Sequence, residues 1–144
     1  MKVKDCMTLH AVSVGAQEPV AVAARLMARY NLGMLPVVAQ NGGLAGVVTD
    51  RDLVLRCVAG NRNASELPVE RVMSNRVISV SPEDNMAYAA SLMARERVRR
   101  LPVAANGQLV GMISLGDLAR QEDYAMEAGE CLAAVCTSVR RAEL

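Results

Sequence analysis

The sequence predicts an α/β protein of the mixed α+β type, in which two tandem β-α-β-β-α units are followed by a C-terminal helix. Three observations predict this fold. The chain repeats itself at a spacing of about 66 residues, each copy mixes short apolar runs with helical apolar spacing, and a separate helical stripe follows the second copy. We place the units and their connections at residues 1–60, a polar linker at 61–65, residues 66–121, and a helix and tail at 122–144.

The repeat becomes visible when the chain is shifted by 66 residues. The segments that coincide are Ser13-Val14 with Ser79-Val80, Leu26–Arg29 with Leu92–Arg95, and Leu35–Val37 with Leu101–Val103. The shift falls to 65 after the turn at residues 40–43, which is one residue longer than its counterpart at 105–107. Turns tolerate such changes in length, so one fold is expected for both copies.

Each unit begins with an opening segment, at Val3–Met7 or Val69–Met73, and a brief extended run, at Ala11–Val14 or Val77–Val80. A helix follows, because apolar residues recur at positions i, i+3, i+4 and i+7. They are Val20, Ala23, Ala24 and Met27 in one copy, and Met86, Ala89, Ala90 and Met93 in the other. In the second copy, Ser81 is the N-cap candidate and residues 82–84 form the first turn.

The later elements follow from turn and strand signals. Leu35–Val38 is predicted as a strand with Pro36 at its start, where the missing N–H is tolerated. A second strand at Leu44–Val48 leads into a helix that ends near Val58. From about residue 122 to 140 a further helix is expected, with an apolar stripe that packs on the body or on a second chain. The stripe consists of Ala128, Leu132, Val135 and Val139.

A strand-to-helix corner occurs in both copies, at Gly46–Leu53 and Gly111–Leu118. Its shared pattern is Gly, two apolar residues, Thr or Ser, two variable residues, Asp and Leu. The hydroxyl can cap the helix, and a carboxylate in the first turn is favoured by the helix dipole. We expect each unit to contribute such a corner to a cleft between the two units.

Composition excludes several classes of function. A formal net charge of +1 and the absence of Phe and Trp argue against nucleic-acid binding. No apolar run approaches about 20 residues, so neither a membrane span nor a signal peptide is expected, and we predict a cytoplasmic protein. Cysteines without Cys-x-x-Cys spacing and a single histidine, His10, offer neither a metal site nor a catalytic constellation. We therefore do not expect an enzyme.

The two copies, in order and in register, resemble a pair of CBS (cystathionine β-synthase) domains. The residues that carry the resemblance are the early Ser-Val, the central Leu-Pro-Val and the late G-h-h-[ST]-x-x-D-L motif, over about residues 1–121. The run at Thr49–Leu53 and the extra C-terminal helix look like small stand-alone bacterial CBS-pair proteins. The resemblance implies units related by pseudo-twofold symmetry, homodimers that form a disc of four units, and sensing or regulation rather than catalysis.

The resemblance also implies two clefts for adenosine-containing ligands such as AMP, ATP or S-adenosylmethionine, and no required cofactor. One unit's extended run and Leu-Pro-Val strand would hold the adenine, and the other unit's corner the sugar and phosphate. The first cleft would use Thr49, Asp50, Arg51, Asp52, Val77, Ile78, Arg99, Arg100, Leu101 and Pro102. The second would use Ala11, Val12, Met34, Leu35, Pro36, Ser114 and Asp117. The carboxylate suits the ribose hydroxyls, and free N–H groups at the helix start suit a phosphate oxygen.

The two clefts are not expected to be equal. The first gathers three arginines, whose guanidinium groups bind phosphate well. The second corner has Leu115-Gly116 in place of Asp50-Arg51, so we expect it to have no cation of its own. The second cleft should therefore bind a phosphorylated adenosine weakly, bind a less charged ligand, or stay empty. A regulated protein partner is possible but cannot be named from the sequence, and two other functions stay open. One is an interaction or dimerisation module without ligand, and the other is a thiol-based stress sensor using Cys131 or Cys136.

Overall fold

The computed structural model describes residues 1–142, apart from the side chains of residue 122 and residues 137–142. In chain order the main elements are β1 (Thr8–Leu9), β2 (Val14–Gly15), α1 (Val20–Tyr30), β3 (Met34–Val38), β4 (Leu44–Thr49), α2 (Asp50–Leu53), α3 (Met86–Glu96), β5 (Arg100–Ala105), β6 (Gln108–Ser114), α4 (Leu115–Ala119) and α5 (Ala125–Ala142). Helix α2 continues as a π-helical segment over Val54–Val58, and short 3₁₀ turns lie at Val3–Asp5, Val69–Arg71 and Glu122–Tyr124. None of the described helices is long and apolar enough to span a bilayer.

The chain forms two compact units that do not coincide with the consecutive repeats. The early unit comprises Val12–Val77 together with Gly107–Leu109. The late unit comprises Met1–Ala11, Ile78–Asn106 and the chain from Val110 onward. The opening segment of each repeat is therefore grouped with the remainder of the other repeat. The repeat boundaries at residues 60 and 66 stay a prediction of the sequence.

Each unit contains one three-stranded sheet. The early sheet has the order β2-β3-β4, in which β2 is parallel and β4 antiparallel to β3. The late sheet has the order β1-β6-β5, and Val80 adds a single parallel bridge to Val103. The pairing of Val14 with Val37 recurs 66 residues later as Val80 with Val103. The predicted α/β fold with duplicated β-α-β-β-α order is confirmed, although the first strand of the second copy is reduced to one bridge.

The cores use the residues that the helical spacing predicts. Val20, Ala23 and Met27 are buried in the early unit, whereas Ala24 is exposed. The counterparts Met86, Ala89, Ala90 and Met93 are all buried in the late unit. The opening segments add Val3 to the late core and Val69 to the early core, and both valines are completely buried.

Helix α5 lies on the late unit, so the predicted apolar stripe packs on the body of the same chain. Ala128 and Val135 are buried, and Ala128 joins Cys131 in the late core. Leu132 is half exposed, and the side chain of Val139 lies outside the described residues.

Two predicted details are wrong. Ser81 does not cap a helix, because its amide is bound by the Asp84 carboxylate in a closed turn and α3 starts later, capped by Asn85. The Asn85 side chain accepts a hydrogen bond from the Ala87 amide at 2.8 Å. Pro36 is the third residue of β3 rather than its start. Its missing N–H is tolerated because β2 is short and its ladder begins opposite the next residue, Val37.

A close backbone approach explains the glycine of the corner motif. The amide of Val47 donates to the Ser74 carbonyl at 3.1 Å, and the Ser74 amide donates back at 2.9 Å. A Cβ at Gly46 would lie 2.5 Å from the Ser74 carbonyl oxygen, which is too close for any residue but glycine. The second copy repeats this contact, since a Cβ at Gly111 would lie 2.6 Å from the Thr8 carbonyl oxygen.

We predict that Gly46→Ala lowers the free energy of unfolding by about 2 kcal/mol, because overfilling a close-packed site costs on the order of 1–3 kcal/mol. Gly129→Ala is the matched control. Its added Cβ meets no atom within 4 Å and lies in a helix, where replacing Gly by Ala stabilises by up to about 1 kcal/mol. Urea denaturation of the two variants measures both effects, and equal stability of the two would contradict the assignment.

The ion pairs of Glu83 generate a prediction about pH. Lys2 Nζ and Lys4 Nζ lie 2.6 and 2.9 Å from the carboxylate, and hydrogen bonds from both lysines lower the pKa of Glu83 from 4.5 to about 2. The lowered pKa stabilises the folded state above about pH 4.5, and this contribution disappears as the pH falls towards 2. The effect is small because the groups are exposed.

Wild type should therefore exceed Glu83→Gln in urea midpoint at pH 7, and the difference should vanish between pH 4.5 and 2. Glu66→Gln, which changes an exposed carboxylate in the early unit, serves as the control. A difference that stays constant over this range would show that the ion pairs do not stabilise the fold.

Candidate functional site

The first corner is a reciprocal cap at the start of α2. Asp52 N donates to Thr49 Oγ1 at 3.1 Å, and Thr49 N donates to Asp52 Oδ2 at 2.9 Å. Thr49 itself keeps an extended backbone, with φ −115° and ψ 162°, as an N-cap requires. The sequence folds this way because both side chains satisfy amides that a helix start leaves unpaired.

The second corner has the same geometry at the start of α4. Asp117 N donates to Ser114 Oγ at 3.1 Å, and Ser114 N donates to Asp117 Oδ2 at 2.9 Å. The duplicated hydroxyl and carboxylate therefore have a structural role in each copy. This role uses one oxygen of each carboxylate and leaves the other oxygen, Oδ1, for further contacts.

The two corners differ in what contacts that second oxygen. Arg120 Nη2 donates to Asp117 Oδ1 and forms an ion pair with it. At the first corner the corresponding residue is Leu55, and no partner of Asp52 Oδ1 is found among the described residues. The expectation that the second corner has no cation of its own is therefore wrong. The spacing of Asp117 and Arg120, three residues apart at a helix, is the signal that could have revealed the pair.

The helix-start amides also differ from expectation. At the first corner Asp50 N donates to the Gly33 carbonyl and Arg51 N donates to Asp50 Oδ1, at 3.0 and 2.8 Å. All four amides from Thr49 to Asp52 thus have internal acceptors, so none is free for a phosphate there. At the second corner no acceptor of the Gly116 amide is found in the described part of the chain, because Leu115 replaces Asp50 and has no carboxylate to offer.

The remaining site candidates fall on the strands and on the segments that flank them. Leu35 and Pro36 of β3, like Leu101 and Pro102 of β5, are buried, whereas Met34 is partly buried. Ala11, Val12, Val77 and Ile78 are also partly buried and lie where the chain passes from one compact unit to the other. Whether these residues and the corners join into shared clefts stays a prediction.

The arginines before β5 have a contact within the late unit. The Arg99 carbonyl accepts a hydrogen bond from Leu115 N at 2.8 Å, as the Gly33 carbonyl does from Asp50 in the early unit. This bond places the Arg99 backbone beside the second corner, and the side chains of Arg99 and Arg100 are exposed. Their pairing with Thr49 and Asp52 stays a prediction.

The two cysteines considered for a thiol sensor, Cys131 and Cys136, differ in exposure. Cys131 is completely buried in the late core, and burial raises the pKa of its thiol. A raised pKa reduces the thiolate fraction and hence the reactivity of the thiol, so Cys131 is less suited to thiol chemistry than an exposed cysteine. Cys136 is exposed on α5. No group of three or more His, Cys, Asp or Glu side chains within the described part of the chain could hold a metal ion.

A shallow depression of about 180 Å³ lies elsewhere, in the early unit. It is lined by Arg62, Asn63, Glu66, Leu67, Pro68 and Arg71. None of the corner residues lines it. Its position after the π-helical segment gives it no connection with the repeated motif.

Comparisons with known proteins agree with the duplicated architecture. The family model of the CBS domain matches residues 3–58 and again residues 69–123. The CBS domain-containing protein YhcV of Bacillus subtilis is 41% identical over 130 residues, covering 90% of this chain and 91% of its own. The chain belongs to the CBS-domain family and carries a tandem pair of these domains.

Solved structures share the fold. The crystal structure of Hypoxic Response Protein I with two coordinated zinc ions is 26% identical, with a TM-score of 0.78 over 84% of this chain and 98% of that one. A CBS domain pair of protein MJ0100, in complex with 5′-methylthioadenosine and S-adenosyl-L-methionine, is 23% identical, with a TM-score of 0.72 over 83% and 94% of the two chains. At the latter identity the similarity concerns the fold alone.

Proposed function

We propose that this CBS pair is a non-catalytic regulatory module that binds an adenosine-containing ligand, such as AMP or ATP, in clefts between its two CBS units. The observation that carries the proposal concerns Asp52, a partly buried residue whose carboxylate oxygen Oδ1 has no partner among the described residues. It lies at a corner whose four backbone amides have internal acceptors. An ionised acceptor forms stronger hydrogen bonds than a neutral one, so this oxygen suits the paired hydroxyls of a ribose.

The proposed first cleft places the ribose at Thr49 and Asp52, and the adenine against apolar side chains and backbone from the other unit. Those contacts would come from Val77, Ile78, Leu101 and Pro102, with Arg99 and Arg100 near the phosphate. Because the amides of the helix start have internal acceptors, phosphate recognition at this corner depends on arginine rather than on backbone N–H groups. Arg51 is exposed and suited to that contact.

Family membership supports a regulatory role. CBS pairs are generally regulatory modules, and the MJ0100 structure has adenosine-containing ligands in the same fold. A regulator of this kind works if the ligand binds one conformation of the pair more tightly than another. The difference in affinity sets how far the equilibrium can shift, and a protein partner would distinguish the two conformations.

The proposed second cleft would bind the same class of ligand more weakly. It would use Ala11, Val12, Met34, Leu35 and Pro36 with the corner at Ser114 and Asp117. At this corner the second carboxylate oxygen already accepts the Arg120 guanidinium, so a ribose hydroxyl would have to displace a charged partner.

The proposed assembly is a homodimer formed through the helices of the early unit. In the late unit α5 covers α3 and α4 with Ala128 and Cys131, whereas the early unit has no counterpart of α5 among the described residues. Its π-helical segment accordingly exposes three apolar residues, Val54, Leu55 and Val58, of which Val58 is 70% exposed. A second copy that buries this face would remove the apolar surface from water.

We expect Asp52→Asn to lower the affinity for AMP about tenfold or more, because hydrogen bonds to a charged group are worth about 1.5–3 kcal/mol. The Asn side chain can still accept the Thr49 amide, so thermal stability should change little. Calorimetric titration with AMP, ATP and S-adenosylmethionine measures the loss.

Asp84→Asn is the matched control, since Asp84 also accepts a backbone amide, that of Ser81, but lies at no corner. Wild-type protein that binds none of the three ligands at millimolar concentration would overturn the proposal and favour an interaction module without ligand. Unchanged AMP affinity in Asp52→Asn would refute the role of this carboxylate.

For the assembly, Val58→Asp should convert the dimer to a monomer, because it places a charge in the centre of the proposed interface. Leu132→Asp is the control, since Leu132 is half exposed on α5 in the late unit. Sedimentation velocity measures both. If Leu132→Asp dissociated the dimer and Val58→Asp did not, the proposed interface would be wrong and the dimer would form through α5.

A further inference from the structure

The two corners have the same cap geometry, and three aligned positions distinguish them. Asp50, Arg51 and Leu55 of the first copy are replaced by Leu115, Gly116 and Arg120 in the second. Among these, only Arg120 contacts the carboxylate that the repeat conserves between its two copies. The effect of replacing Leu55 by Arg120 on ligand binding can therefore be argued from the geometry of this contact.

From this contact we infer that Arg120 is a specificity-determining residue that lowers the affinity of the second corner for a ribose, and this inference rests on the proposed function. Asp117 has two carboxylate oxygens. Oδ2 accepts the Ser114 amide at 2.9 Å, and Oδ1 accepts the Arg120 guanidinium. Both oxygens of Asp117 thus accept hydrogen bonds from within the chain, whereas only Oδ2 of Asp52 has a partner among the described residues.

Burial strengthens the difference between the two carboxylates. Asp117 is 8% exposed, and the Arg120 side chain that covers it is 71% exposed. Burying a carboxylate without a charged partner destabilises the folded protein, and the guanidinium of Arg120 is such a partner. The arginine acts from the solvent side, so it competes for the oxygen that a ligand would approach.

The strength of the contact sets the expected size of the effect. Ion pairs in which one partner is exposed are weak, so Arg120 lowers the affinity of the second corner and does not abolish it. Replacing the arginine by the residue of the first copy, in Arg120→Leu, leaves the cap between Ser114 and Asp117 in place. We expect the affinity of the second corner for AMP to rise about fivefold.

The test measures the affinity of the second corner after that of the first has been lowered. AMP is titrated calorimetrically into Asp52→Asn and into the double variants that combine it with Arg120→Leu, Arg120→Lys or Arg25→Leu. Only the Leu change at Arg120 should raise the affinity, because Lys keeps a cation for Asp117. Arg25, an exposed residue of α1, controls for loss of charge and added apolar surface. Thermal melting verifies that each variant is folded.

Each outcome decides between the possibilities. A rise with Arg120→Leu alone supports the inference. A fall in AMP affinity would overturn it, because Arg120 would then bind the phosphate. No change, or equal affinity of the two corners in wild type, would also overturn it while leaving the proposed function intact. No binding of AMP by wild type or by any variant would refute the proposed function, and the inference with it.

Discussion

The structure depends on the close contact between each opening segment and a glycine in the strand that leads to the corner. Ser74 bonds to Val47 beside Gly46, and Thr8 pairs with Met112 beside Gly111. These contacts fix the last strand of each unit, and the end of that strand is where the capping Thr or Ser stands. The position of Asp52 and Asp117 therefore depends on a hydrogen-bond pair two residues before the cap.

The same corner has a structural and a chemical side. Capping accounts for the hydroxyl and for one oxygen of each carboxylate, so a Thr-x-x-Asp or Ser-x-x-Asp motif needs no ligand to explain it. Capping does not account for the second oxygen of each carboxylate. That oxygen has no partner among the described residues at Asp52 and has Arg120 at Asp117, so the two copies have diverged in chemistry while keeping their fold.

Much of the fold could be predicted from the sequence, because each helix, strand and corner pattern occurs in both copies. A pattern that is weak in one copy is supported by its counterpart in the other. The helix stripes, the β-α-β-β-α order of elements along the chain and the corner caps are accessible in this way. The start of α3 was not, since Ser81 and Asn85 are both good caps and the choice depends on the closed turn that ends at Asp84. At the site, the motif does not reveal the ion pair of Arg120, because Arg120 lies beyond the motif. Nor does it reveal that the Arg51 amide is already occupied, because the acceptor is the side chain of the preceding residue, Asp50. The clefts themselves remain predictions.

The grouping of residues 1–11 with the second half of the chain affects the order in which the two units can fold during translation. The early unit is nearly complete once residue 77 has left the exit tunnel, whereas Val3 gains its neighbours only after residues 78–118 have been translated. Residues 1–11 thus reach their folded position only after a much later part of the chain has been made. Until then the side chain of Val3, which is completely buried in the folded late unit, stays exposed to solvent on the nascent chain.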